Sequence, residues 1–204
     1  MKEAGVQSQG RPSPLAAFDP QRLARLETEM WKAYYRVPPQ RLRLLRLLIS
    51  ACAEQYGLSL WQSLVGAYWL TRATFLFKFH RNQSDLDRTR AYLERFFQMV
   101  RDAAQARFDY QRVAKLELNW WLVHRKNSGE PDQSPLINAL AEECAALYDR
   151  EVKSMLPTGS HRAQAMIIRD SMEHGKPSGS WSDVEVELLH SYTALKQELS
   201  SRQI

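Results

Sequence analysis

The stretch Lys115-Leu-Glu-Leu-Asn-Trp-Trp-Leu-Val-His-Arg125 places the residues best suited to chemistry among apolar neighbours. Each helical residue turns the chain by about 100°, so residues seven apart return to nearly the same face. Glu117 and His124 therefore share one stripe, flanked by Trp120 and Trp121. A carboxylate and an imidazole held between tryptophans must be paired or must change protonation state. Together they could pass a proton as an acid–base pair. No motif beside them specifies a substrate.

Other polar residues also fall on apolar faces. In the first predicted helix, Leu23, Leu26, Met30, Trp31 and Tyr34 define the inward face; Glu27 lies within it and Glu29 outside. Arg72 sits amid Tyr68, Phe75 and Leu76 and, unable to lose its proton, calls for an anion. Arg162 and Arg169 are again seven apart, beside Ala165, Ile168 and Met172, and could clamp carboxylate or phosphate oxygens. The candidate pocket is thus Glu27, Arg72, Glu117, His124, Arg162 and Arg169, walled by Tyr34, Tyr68, Trp120 and Trp121. The same residues could instead form an ion-pair network that fixes helix register, since breaking a buried pair costs roughly 3–5 kcal/mol. As a pocket, they would hold a small anionic or polar ligand between apolar walls.

Most familiar catalytic signatures are missing. There is no Cys-x-x-Cys, His-Glu-x-x-His, glycine-rich phosphate loop or Gly-x-Ser-x-Gly. A ferritin-like di-iron centre needs Glu-x-x-His on two helices plus further carboxylates, and the chain does not carry that pair. His80, His124, His161, His174 and His190 are dispersed along the sequence. A cation held by Glu27, Glu117 and His124 would meet the nearby arginines, so no metal site is expected, and no cofactor is specified. Cys52 and Cys144 lie in apolar helical patterns and read as buried free thiols of a reducing compartment. With no signal-peptide core in the polar N-terminus, the expected location is cytoplasmic.

The elements that must position these residues are all helical. Two-residue alternation is absent over any useful length. Residues 1–18, rich in Gly, Ser, Gln and Pro, predict a disordered tail, and 19–204 a single helical domain. Eight helices are expected near 20–36, 40–56, 60–80, 84–105, 110–126, 135–156, 160–173 and 182–200. Their starts are marked by Asp19-Pro20, the break Pro38-Pro39, the capping boxes Ser59/Gln62 and Ser182/Glu185, and Ser84, Asp109, Ser134-Pro135 and Ser160. Gly57, Gly129 and Gly175 mark stops. The helix at 60–80 is apolar on every side and is expected at the centre of the bundle. Gln62, Arg72 and Lys78 interrupt it, so it falls short of the roughly 20 apolar residues of a membrane span.

Charge is uneven along the chain: residues 20–108 carry a net +8 and residues 109–204 a net −3. Arg43, Arg46, Arg88, Arg95 and Arg101 could contact phosphates. No helix-turn-helix accompanies them, and the aromatics face inward, so a nucleic-acid partner ranks below a protein partner or self-association. The sequence alone favours a non-enzymatic protein-interaction module. A small-molecule-binding protein or small helical enzyme using the buried Glu/His/Arg set comes next, and a nucleic-acid binder third.

Overall fold

Helices begin where a short polar side chain or a proline suits the free N–H groups of a first turn. The computed structural model describes residues 14–173 and 179–201, and among these it has no strand. Its α-helices are α1 (Pro20–Tyr35), α2 (Arg41–Tyr56), α3 (Leu60–Lys78), α4 (Gln83–Ala104), α5 (Tyr110–Asn127), α6 (Ser134–Tyr148), α7 (Val152–Glu173) and α8 (Trp181–Ser200). Asp19 caps α1 by accepting from Gln21 and Arg22 N–H, and Asp109 caps α5 by accepting from Gln111 and Arg112. Ser59 and Gln62 form the expected capping box of α3. Gly57 ends α2 in the left-handed conformation (φ 63°).

Three starts differ from the sequence expectation. α4 is capped by Asn82, whose side chain accepts from Asp85 N–H, rather than by Ser84. α8 opens on a Ser180/Asp183 box two residues before the expected Ser182/Glu185 pair, which brings Trp181 into the first turn against the core. The largest difference concerns α6 and α7. Asp149 takes a left-handed backbone (φ 53°), ends α6 at Tyr148, and lets Arg150 N–H reach the Ala145 carbonyl at 2.9 Å. Pro157 falls in the gap expected between helices at 135–156 and 160–173, yet it lies inside α7. So near a helix start, a proline forfeits one backbone bond, which packing against α6 outweighs. Ser160 is therefore mid-helix. Gly175 lies outside the described residues.

Each helix packs against its sequence neighbours, and α8 packs against α1, so the eight close into an up-and-down ring. The α1–α2, α3–α4, α5–α6 and α7–α8 connections lie at one end, here the rim. All eight helices send side chains to the axis. The expected central helix is a correction: α3 is an outer wall. Its buried positions are mostly small (Ser63, Gly66, Ala67, Ala73), which lets α2 and α4 approach closely. Its large residues Leu60 and Trp61 stand 73% exposed, with Leu64 and Tyr68 beside them. The most buried element is α6, with nine of 15 residues in the interior. Among the described residues no helix is long and apolar enough to cross a membrane. Residues 14–18, grouped with the tail on composition, instead dock on the core. Leu15 and Phe18 are buried, and Lys196 Nζ donates to the carbonyls of Ala16 (2.6 Å) and Phe18 (2.9 Å).

Gly159 is where α6 and α7 come closest. A Cβ there would stand 2.7 Å from the Ile137 carbonyl oxygen and 3.2 Å from Ala141 N, both backbone atoms that cannot swing aside. Helix propensity alone favours alanine by about 1 kcal/mol. Overpacking typically costs about 1–3 kcal/mol and wins here. Gly159→Ala is expected to lower stability in urea unfolding despite its better propensity.

Candidate functional site

The interior of the ring holds a cavity of about 250 Å³ whose lining comes from every helix. Its walls are aromatic and aliphatic: Trp31, Tyr34, Phe77, Trp120 and Trp121 on the rim side, Tyr56, Tyr148 and Leu195 deeper in. Set into these walls are three carboxyl groups, Glu27, Glu117 and Glu143, and one guanidinium, Arg162. Helical spacing explains each position. Glu27 lies one turn before Met30 and Trp31, and Glu143 lies seven residues after Leu136 and four before Leu147.

The three carboxyls meet different fates. Glu27 is engaged by two helices at once: Arg162 of α7 pairs with Oε1, and the Tyr192 hydroxyl of α8 donates to Oε2 at 2.5 Å. Burial disfavours the charge of Arg162, but the Glu27 carboxylate outweighs it and holds the guanidinium firmly protonated. Glu117 accepts from the indole N–H groups of Trp120 (2.9 Å) and Trp121 (3.0 Å), which fixes both rings as walls. Burial raises its pKa against these hydrogen bonds. Glu143 has only the weak thiol donor of Cys144, at 3.6 Å. Burial, with the charge of Glu117 nearby, pushes it up to about 8, so it is mostly a neutral carboxylic acid at pH 7. Burial also pushes Cys52 up to about 12 and raises Cys144, Tyr56, Tyr148 and Tyr192, so the neighbouring thiols and phenols stay protonated.

The structure brings Glu27, Glu117, His124, Arg162, Tyr34, Trp120 and Trp121 to this cavity. It does not bring Arg72, Tyr68 or Arg169. Arg72 is exposed on the outer face of α3, where it donates to the Tyr92 hydroxyl at 3.3 Å and stacks over that ring. Tyr68 is half exposed on the same face. A central α3 would turn both inward; as an outer wall, α3 buries its small residues and turns these two out. The Arg162/Arg169 clamp does not form: Arg162 is turned to Glu27, whereas Arg169 pairs with Asp170 and lies 3.2 Å above the Tyr35 ring at the rim. His124 reaches the same rim cluster and donates to Asp170 at 3.0 Å, with Ser128 also donating to that carboxylate. Burial works to raise Asp170, but His124 and Arg169 together hold it below the usual range. Lys78 donates to the Tyr34 carbonyl at 2.8 Å and Arg125 to that of Phe77 at 3.2 Å, as suits cations at helix C-termini.

Glu143 escaped the sequence reading although its signal was present, since Leu136, Leu140, Glu143 and Leu147 share one face of α6. Two further histidines also come together outside the cavity. His161 and His190 have ring centroids 5.1 Å apart, and Glu187 and His190 form one Glu-x-x-His on α8, short of the two that a di-iron centre needs. The basic residues of the first half are spread around the ring, and several are paired internally: Arg22 with Glu54, Arg43 with Glu29, Arg90 with Glu94. No protein-family model matches the chain, and no curated protein or solved structure matches it.

Arg162→Met removes the partner of a buried carboxylate and is expected to cost about 3–5 kcal/mol in urea unfolding. Adding Glu27→Gln should recover part of that loss, because no buried charge then stands alone. A pH series tests Glu143. Its folded pKa lies above its unfolded one, so the folded state binds the extra proton, and stability falls as pH rises from about 4.5 towards 8. Glu143→Gln should reduce that loss, on the order of a few kcal/mol across the window, while leaving the protein folded at pH 8.

Proposed function

We propose that the ring is a small-molecule-binding protein and that its ligand is a largely apolar molecule carrying a basic nitrogen. One observation carries the reading. Three carboxyls face one aromatic-walled cavity, and the single guanidinium among its lining residues is already committed to Glu27. A cationic nitrogen supplies the charge that the interior lacks, and the faces of Trp31, Trp120 and Trp121 suit it by cation–π attraction. Glu143 is the group that receives it, giving its proton to an amine or releasing it when an ammonium arrives. A 150 Å³ apolar cavity holds benzene. On that scale about 250 Å³ suits a molecule of roughly ten non-hydrogen atoms.

The experiment compares two isosteric probes, N,N-dimethylbenzylamine and isobutylbenzene, by thermal shift and by NMR titration at pH 7. The amine should bind at least tenfold tighter than the hydrocarbon, and Glu143→Gln should erase that preference. Equal binding of the two, tighter binding of the hydrocarbon, or binding of neither would overturn the reading.

A second reading, contact with another protein chain, is favoured by one specific observation: Leu60, Trp61, Leu64 and Tyr68 form an exposed apolar stripe along α3. If that stripe joins two copies, sedimentation should show a concentration-dependent dimer that Trp61→Lys abolishes. A monomer across the micromolar range would remove self-association.

A further inference from the structure

We infer a divalent transition-metal site on the outer face of α7 and α8, formed by His161, Glu187 and His190. Glu187 and His190 are three residues apart on α8 and so lie on one face. His161 is supplied by α7, and the register of the two helices is set beside it. The buried Ser191 hydroxyl donates to the Thr158 carbonyl at 2.9 Å, one residue from His190 and about one turn from His161. One ligand atom from each of the three residues falls within 4.8 Å of the others.

The donor set fits the chemistry of such an ion. Two imidazoles and one carboxylate make a three-ligand site of the kind that holds Zn²⁺ and leaves further positions open. His161 Nδ1 and the Glu187 carboxylate already face each other at 2.8 Å, and the ion would take the place of the proton that now joins them. Edge-to-face, the His190 ring stands beside that of His161 at 62°. Zn–N bonds of about 2.0–2.1 Å require the donors to draw closer than they now stand. His190 is exposed and His161 half exposed, so side-chain rotation on a solvent-facing surface suffices. No arginine or lysine is paired with the Glu187 carboxylate among the ion pairs of the described residues, in contrast to Glu27 in the cavity. None of the three lines that cavity, so the site is independent of the ligand proposed above.

Bound there, the ion would clip α7 to α8 and stabilise the folded chain by mass action. The test uses tag-free, full-length protein stripped with a chelator and titrated with Zn²⁺ alone, followed by calorimetry and thermal melting. Co²⁺ serves as a spectroscopic substitute. The expected result is one Zn²⁺ per chain, a rise in Tm that EDTA reverses, and a visible Co²⁺ spectrum of low-coordinate character. His161→Ala, His190→Ala and Glu187→Gln should each weaken binding at least tenfold with helical circular dichroism unchanged, whereas His80→Ala should not. Unaltered affinity in the two histidine variants would place the metal elsewhere and overturn the site, as would the lack of saturable Zn²⁺ binding by the wild-type protein. The Glu187→Gln result decides the matter should either histidine variant lose its fold.

Discussion

A carboxylate taken out of water is tolerable only when a counter-charge and hydrogen-bond donors surround it. Glu27 has both, and the way it obtains them shapes the molecule. Its partners Arg162 and Tyr192 come from α7 and α8, 135 and 165 residues further along the chain. The ion pair can form only when the last two helices return to the first, which is the step that closes the ring. Hydrophobic burial supplies the bulk of the driving force, and many arrangements of eight amphipathic helices could provide it. The buried pair discriminates among them, because a ring closed in another register would leave Glu27 or Arg162 alone in the interior.

The closed ring then imposes its own chemistry on what remains inside. Glu117 spends its hydrogen-bonding capacity on two indoles and in doing so holds the tryptophan walls in place. Glu143 has no comparable partner, and the interior answers by keeping its proton. A polar group retained in a core without satisfaction is a cost that packing alone gives no reason to keep. That cost, borne next to an aromatic cavity, is the physical ground for reading Glu143 as the receiving group of a ligand site rather than as a stabilising element.

Periodicity made much of this legible and also set its limit. The helical class, the strong caps at Asp19, Ser59 and Asp109, and the inward aim of Glu27, Glu117 and Arg162 all follow from local patterns that a single helix expresses. Arg72 and Tyr68 were misplaced for a different reason. The burial of a helix depends on its neighbours, and in α3 the small residues pack while the large ones face out. The gap expected between 156 and 160 fails for the same reason, since tertiary packing holds α7 as a helix through Pro157. The meeting of His161 with His190 is set by the register between α7 and α8, a relation that neither helix carries in its own pattern.

The rim and the interior differ in sign, and the difference bears on how a basic ligand would enter. Lys78, Arg125 and Arg169 gather at the rim, where they satisfy helix C-terminal carbonyls or lie over aromatic faces, and Asp170 offsets part of their charge. An ammonium approaching this end meets like charge, whereas the uncharged form of the same amine does not. Within the cavity the order reverses: Glu143 is a neutral acid with a proton to give, and the aromatic walls favour the cation over the base. A weak base on this reading passes the rim neutral and becomes charged inside. It then sits as an ion pair whose escape requires either return of the proton to Glu143 or passage of a cation between cations. Arg162 cannot compete for the new charge, because its own partner is Glu27. The commitment that closes the ring is thus also what leaves Glu143 available.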